Sequence, residues 1–250
     1  MNELKKISSA FEDTLKDTDL HSMTIDLAET FSDTFLHDGL LKDIPIIGTI
    51  VNLSKVAMNL KDRLLIKKLI YFLSELKEID AEKRERLISQ IDNSDKEKIK
   101  VGEKLLYIVD ACDDHISARY IAVLFKAFLN EKISYSEFIR CSSIIRRLII
   151  EDLEKYIDTD TEKLECILDP NDYTVSDFQF SLINVGLCAT GTEQISISDQ
   201  DDYKRTSISD RYVVSGGEVV IYLTPIGHKL KTILTEKIER AKIQHVYSQQ

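Results

Sequence analysis

Apolar residues recur every three to four positions from the first residues onward. In "NELKKISSAFEDTLKD", Leu4, Ile7, Phe11 and Leu15 share one face of a predicted helix. A second helix is expected in "MTIDLAETFSDTFL", where Ile25, Leu27, Ala28, Phe31, Phe35 and Leu36 make a broad stripe. The most apolar stretch follows, "GLLKDIPIIGTIVNLSKVAM". Its Gly39 suits a turn and its Pro45 a first helical position. From there Ile46, Ile50, Leu53, Ala57 and Leu60 fall on one face, and helical periodicity continues to Leu76. This spacing predicts a central helix of a bundle. "DAEKRERLISQID" starts at Asp80, a good N-cap. "KIKVGEKLLYIVDACD" and "HISARYIAVLFKAFLN" are amphipathic or buried, with Asp113 or Asp114 as the cap between them. "SYSEFIRCSSIIRRLIIEDLEKYI" reads as one more helical stretch, with Ser134 or Ser136 as N-cap and Glu137 three after Ser134. Six to eight helices and no strand are expected before residue 165, and a bundle buries such stripes.

The pattern changes after "DTDTEKLECILDPND", where Asp169–Pro170 and Asn171 mark a turn. "SDFQFSLINVGLC" is expected to be a short helix ending at Gly186. "QISISD" and "YVVSGGEVVIYLT" carry the β-branched residues of strands, with Gly216–Gly217 at a turn. "TPIGHKLKTILTEKIERAKI" is a closing helix, with Thr224 as N-cap and Pro225 at its first position. Residues 190–211 are polar and rich in Ser and Asp, and are expected to form a loop. The predicted fold is mainly α, an all-helical bundle over residues 1–165 followed by a small α+β domain over 166–250.

Composition agrees with helices. Gly 8 and Pro 3 leave few tight turns, and 43% hydrophobic with 30% charged content is ordinary for a globular chain. Charge adds more. The net value of -10 is concentrated in residues 151–202, which hold 2 Lys/Arg against 14 Asp/Glu, whereas residues 203–250 hold 8 against 4. An acidic chain is a poor generic ligand for phosphates, so nucleic acid is disfavoured except near the basic C-terminal part. No 18-residue uncharged run occurs, so no spanning helix is expected, and the N-terminus is unlike a secretory signal. A microbial cytoplasm is the expected setting. The four cysteines lack zinc-ligand spacing and are expected to be buried free thiols.

Two stretches resemble known families. "LINVGLC" and "VVIYLTPIGHKLKTIL" resemble the end of a winged-helix domain, through Leu182, Gly186, Leu187, Tyr222, Leu223, Thr224, Gly227 and Leu230. That resemblance implies a recognition helix, a hairpin wing and, in many members, DNA binding. Here "TVSDFQFSLINVG" has Asp177 and no Lys or Arg, so protein docking or dimerisation is the expectation. Residues 99–157 resemble a TerB-type helical domain, an apolar helix, an acidic turn, another apolar helix and the entry "ISYSEF". The whole is similar to bacterial proteins of stress and phage defence, and fold alone does not fix function.

Candidate chemistry is sparse. Asp110, Asp113 and Asp114 in "DACDDH" could offer oxygen ligands to Mg or Ca, without the Gly and final Glu of an EF-hand loop. Lys204, Arg205 and Arg211 lie near the expected wing and are the nucleic-acid candidates. Ile46, Ile47 and Ile50, together with Lys67 and Lys68 of "KDRLLIKKLIYF", are the candidates for a membrane or partner helix. No phosphate-binding Gly loop or nucleophile elbow occurs, so no catalytic residue, cofactor or small-molecule substrate is expected. The leading expectation is a non-enzymatic cytoplasmic protein that binds another protein or itself. The alternatives are a DNA-binding regulator using the C-terminal domain and a membrane-active effector using residues 39–73. Membrane contact in the last case is conditional on the bundle opening, because the uncharged apolar run is far short of a span.

Overall fold

The computed structural model describes residues 3–20, 40–54, 58–94, 98–168, 174–199 and 212–247. The chain is mainly α with a small antiparallel sheet region towards its C-terminus, and divides into two compact units. One comprises residues 1–150 with 236–250, the other Glu151–Thr235. The expected boundary at 165/166 therefore lies inside the second unit.

In the first unit, α1 (Glu3–Lys16), a 3-10 turn (Leu40–Asp43), α2 (Pro45–Leu53), α3 (Leu60–Ser74), α4 (Ala81–Asp92), α5 (Val101–Asp110), α6 (His115–Leu129) and α7 (Tyr135–Ile145) follow in order. The helix expected in 23–36 lies outside the described residues. Phe11, Phe72, Phe125 and Phe138 are fully buried and pack in series, edge-on or tilted, with ring centroids 5.9, 6.0 and 5.3 Å apart. Burial of each such ring contributes about 2 kcal/mol. The caps are largely those read from sequence. Asp80, Asp114 and Ser134 each accept a backbone N–H at the third helical position, and Ser134 with Glu137 completes a capping box.

Two long stretches break where periodicity alone runs on. Helical pattern persists from Ile46 to Leu76, yet α2 stops at Leu53. Ser54 donates its hydroxyl to Ile50 O and to the Asp62 carboxylate, while Asn59 and Asp62 form the capping box of α3. Leu60 is accordingly 71% exposed rather than on the buried face. Likewise α7 ends at Ile145 and a new helix, α8 (Ile150–Asp158), begins five residues later, with Ile149 exposed between them.

Cations close helix ends in a chain with so few glycines. Buried Arg84 donates to Leu15 O (2.7 Å), Asp17 O and Ile79 O, closing the end of α1. Lys68 donates to Asp110 O (2.8 Å) and Cys112 O at the end of α5. Both place positive charge where the helix dipole is negative.

The second unit contains most of α8, α9 (Thr161–Leu164), β1 (Cys166–Ile167), α10 (Asp177–Val185), β2 (Cys188–Thr192), β3 (Ser196–Asp199), β4 (Tyr212–Ser215), β5 (Val219–Leu223) and the first half of α11 (Pro225–Tyr247). Strand order is β1-β5-β2, with β3-β4 as a separate antiparallel pair. Residues 190–199 of the expected polar loop thus lie largely in strands. Lys231 closes α8 as Arg84 closes α1, donating to Tyr156 O (2.8 Å), Ile157 O (3.0 Å) and Thr159 O. Buried Tyr156 donates its hydroxyl to Gly227 O at 2.7 Å.

Candidate functional site

The expected recognition helix forms for local reasons. Ser176 and Gln179 make a capping box at the start of α10, and Gly186 takes the left-handed conformation (φ 86°) that stops it. Leu182 and Val185 are buried, so Asp177, Phe180 and Asn184 are left on the outer side. Phe180 is 64% exposed, and no Lys or Arg lies within the helix. After Gly186, Thr224 donates its hydroxyl to Gly186 O (2.7 Å) and accepts the Gly227 N–H (3.1 Å), which caps α11. Gly227 is needed there, because a Cβ would stand 2.3 Å from Leu187 O.

The strands extend from this base as a ribbon. β2 and β5 pair from Cys188↔Leu223 to Thr192↔Val219, and β3 and β4 from Ser196↔Ser215 to Asp199↔Tyr212. Between them, Glu193 N–H donates to Glu218 O and Gly217 N–H to Glu193 O, while Gly216 and Gly217 adopt φ of 84° and 89°. Side chains alternate across a ribbon. In the base, Ile221 and Leu223 face the core and Tyr222 faces out. In the outer part every residue of β3 and β4 is exposed, and the cross-strand pair Ile197–Val214 is 68% and 64% exposed. Nearby Ile195 is also exposed. The described ribbon carries no Lys or Arg but contains Glu193 and Glu218. Protonated Glu193 donates a hydrogen bond to the Glu218 carboxylate, which favours its neutral form and raises its pKa above the ordinary carboxylate value.

The acidic turn is organised differently from a metal loop. Asp114 accepts Ser117 N–H at 2.7 Å as the cap of α6, and the Asp110 and Cys112 carbonyls face the Lys68 ammonium. Among the described residues no three His, Cys, Asp or Glu side chains converge on a point that could hold a metal ion, so Asp110, Asp113 and Asp114 are not brought together as ligands. Lys204, Arg205 and Arg211 lie outside the described residues. Ile46, Ile47 and Ile50 are buried against the bundle, and Ile46 N–H donates to Thr14 of α1 at 3.1 Å. Among the described residues no helix is long and apolar enough to cross a membrane. Lys67 and Lys68 are half-buried on α3, whose outer stripe also includes Leu60, Lys61 and Leu64.

Cys112, Cys141 and Cys188 are buried as expected, whereas Cys166 is half-buried and accepts a hydrogen bond from Gln179 Nε2 at 3.2 Å. Burial pushes Cys112 up to about 12 and Cys188 up to about 11, far from nucleophilic range, and all four cysteines are unpaired to one another. Sequence reasoning assigned no role to Phe180, Ile195, Ile197 or Val214. The alternation in "SISD" and "YVVS" marks one apolar face, and only tertiary packing decides whether that face is covered. No protein-family model, curated protein or solved structure matches the chain.

Proposed function

We propose that the protein acts without catalysis, by docking another protein or a second copy of itself on the outer surface of the unit spanning 151–235. The observation that carries this reading is the exposure of Phe180, Ile197 and Val214 on short, regular elements. Ile197 and Val214 are cross-strand neighbours, and adjacent exposed apolar groups mark contact sites more often than scattered single ones do. The strand order β1-β5-β2, with α10 before a protruding ribbon, supports a winged-helix-like module. The outer side of α10, with Asp177, Phe180 and Asn184, supports a protein rather than DNA as its ligand. Free thiols support a reducing compartment such as the bacterial cytoplasm.

Site-specific photo-crosslinking in cells tests this reading. A benzophenone side chain at Phe180 or Val214 is expected to give discrete protein adducts. The same group at Ile99, on the other unit, serves as control. Adduct patterns no different from the Ile99 control would overturn the proposal.

A further inference from the structure

We propose that the occupant of the ribbon is a second copy of this chain, seated through the outer stripe of its α3; this rests on the docking reading above. Two exposed surfaces of the chain are complementary. Exposed Ile195 and the exposed cross-strand pair Ile197–Val214 share the ribbon with Glu193 and Glu218, which the Glu193 N–H to Glu218 O bond (2.9 Å) sets opposite each other, with no cation among the described ribbon residues. On α3, Leu60 (71% exposed) and Leu64 (50% exposed) alternate with Lys61 and Lys67 along one helical side. The spacing 60, 61, 64, 67 keeps these four on one stripe of a 3.6-residue helix. Apolar centres therefore match apolar centres, and ammonium groups match carboxylates.

Ribbon-to-ribbon pairing is the poorer solution, because it would bring the Glu193–Glu218 pair of each copy close to that of the other. An anionic membrane would suit the α3 stripe but leaves the acidic ribbon unsatisfied. A second copy satisfies both surfaces at once. Each molecule offers one stripe and one ribbon, so contacts either close reciprocally about a two-fold axis or continue head to tail.

Sedimentation equilibrium and light scattering of the full chain test this. The wild type is expected at a multiple of the 28.7 kDa chain mass, with association weakening as salt rises. K61E/K67E and E193K/E218K are each expected to weaken association at least about tenfold, equivalent to roughly 1.4 kcal/mol. Mixing the two variants is expected to restore it, since the charges are then exchanged rather than lost. All four positions are exposed or half-exposed, and unchanged far-UV circular dichroism keeps folding out of the comparison.

A wild type that remains monomeric up to roughly 100 µM would overturn this inference. The docking reading would survive if the Val214 crosslinks reach a different protein. Association that K61E/K67E leaves unchanged would also overturn it and would place another surface of the second copy on the ribbon. Monomer that sediments with phosphatidylserine vesicles, and loses them on K61E/K67E, would overturn it in favour of membrane binding by α3.

Discussion

Arg84 illustrates how single side chains hold the first unit. Its guanidinium meets three backbone carbonyls, from Leu15, Asp17 and Ile79, and burial lowers its pKa despite the nearby Asp80 and Asp17. Arg84→Met keeps the bulk and removes the donors, so urea denaturation is expected to show a loss of about 3 kcal/mol. Lys83→Met next to it, on an exposed pair with Asn130, is expected to change stability by less than about 0.5 kcal/mol. Equal effects would remove the capping role. His115 offers a pH signature. Burial first, then Lys67, lowers its pKa below 6.5, and its ring packs on Tyr71 at 4.5 Å. A lowered value in the folded state means that the unfolded chain binds the proton more readily. This contribution is therefore complete above pH 6.5 and is lost as pH falls through the folded-state value. Thermal unfolding from pH 7.5 to 5 is expected to show this decline, and His115→Phe to flatten it; parallel curves for the two proteins would refute it.

Helix ends and helix approaches decide where elements stop and how they meet. Gly102 in α5 faces α1, where a Cβ would stand 2.9 Å from Glu12 Cβ and 3.1 Å from Ser8 O. Helix propensity favours Ala over Gly by about 1 kcal/mol. Gly102→Ala is nevertheless expected to lower the melting temperature, because backbone Ser8 O cannot move away without shifting α1. A rise in melting temperature would mean that the two helices separate freely. Sequence made the caps at Asp80, Ser134 and Thr224 legible, because a cap is a local hydrogen bond. It missed β1 and β2 for the opposite reason. Cys166–Ile167 is too short for any period, "CATGT" has no large apolar alternation, and both strands exist only through pairing with β5. The apolar helix α2 belongs here too. Ile47→Asp with Ile50→Asp buries two charges in the bundle, and cooperative unfolding is expected by circular dichroism. A folded double variant, with wild-type vesicle leakage abolished, would instead revive the membrane effector.

For the whole molecule, the absence of a converged acidic cluster among the described residues has a direct readout. Saturating Mg or Ca ions are expected to move the melting temperature by less than about 1 °C, because an ion that prefers the folded state must raise it. A concentration-dependent rise lost on Asp113→Asn would restore the acidic turn as a metal site. The same scale separates what the chain reveals on its own. Periodicity, caps, the Gly186 stop and the charge asymmetry determine a helical first part and a small mixed second part, since each depends on neighbours within a turn or two. The β-branched residues of "QISISD" and "YVVSGGEVVIYLT" likewise announce strands, but not that β3 pairs with β4. Sequence cannot tell covered from bare, because a Leu on a helix face reads identically in either state. Tertiary structure decided that Ile46, Ile47 and Ile50 are enclosed by the bundle, while Leu60, Leu64, Phe180, Ile197 and Val214 are left exposed on the single chain. Burial depends on residues distant in the chain arriving at one place, and no local pattern encodes that arrival.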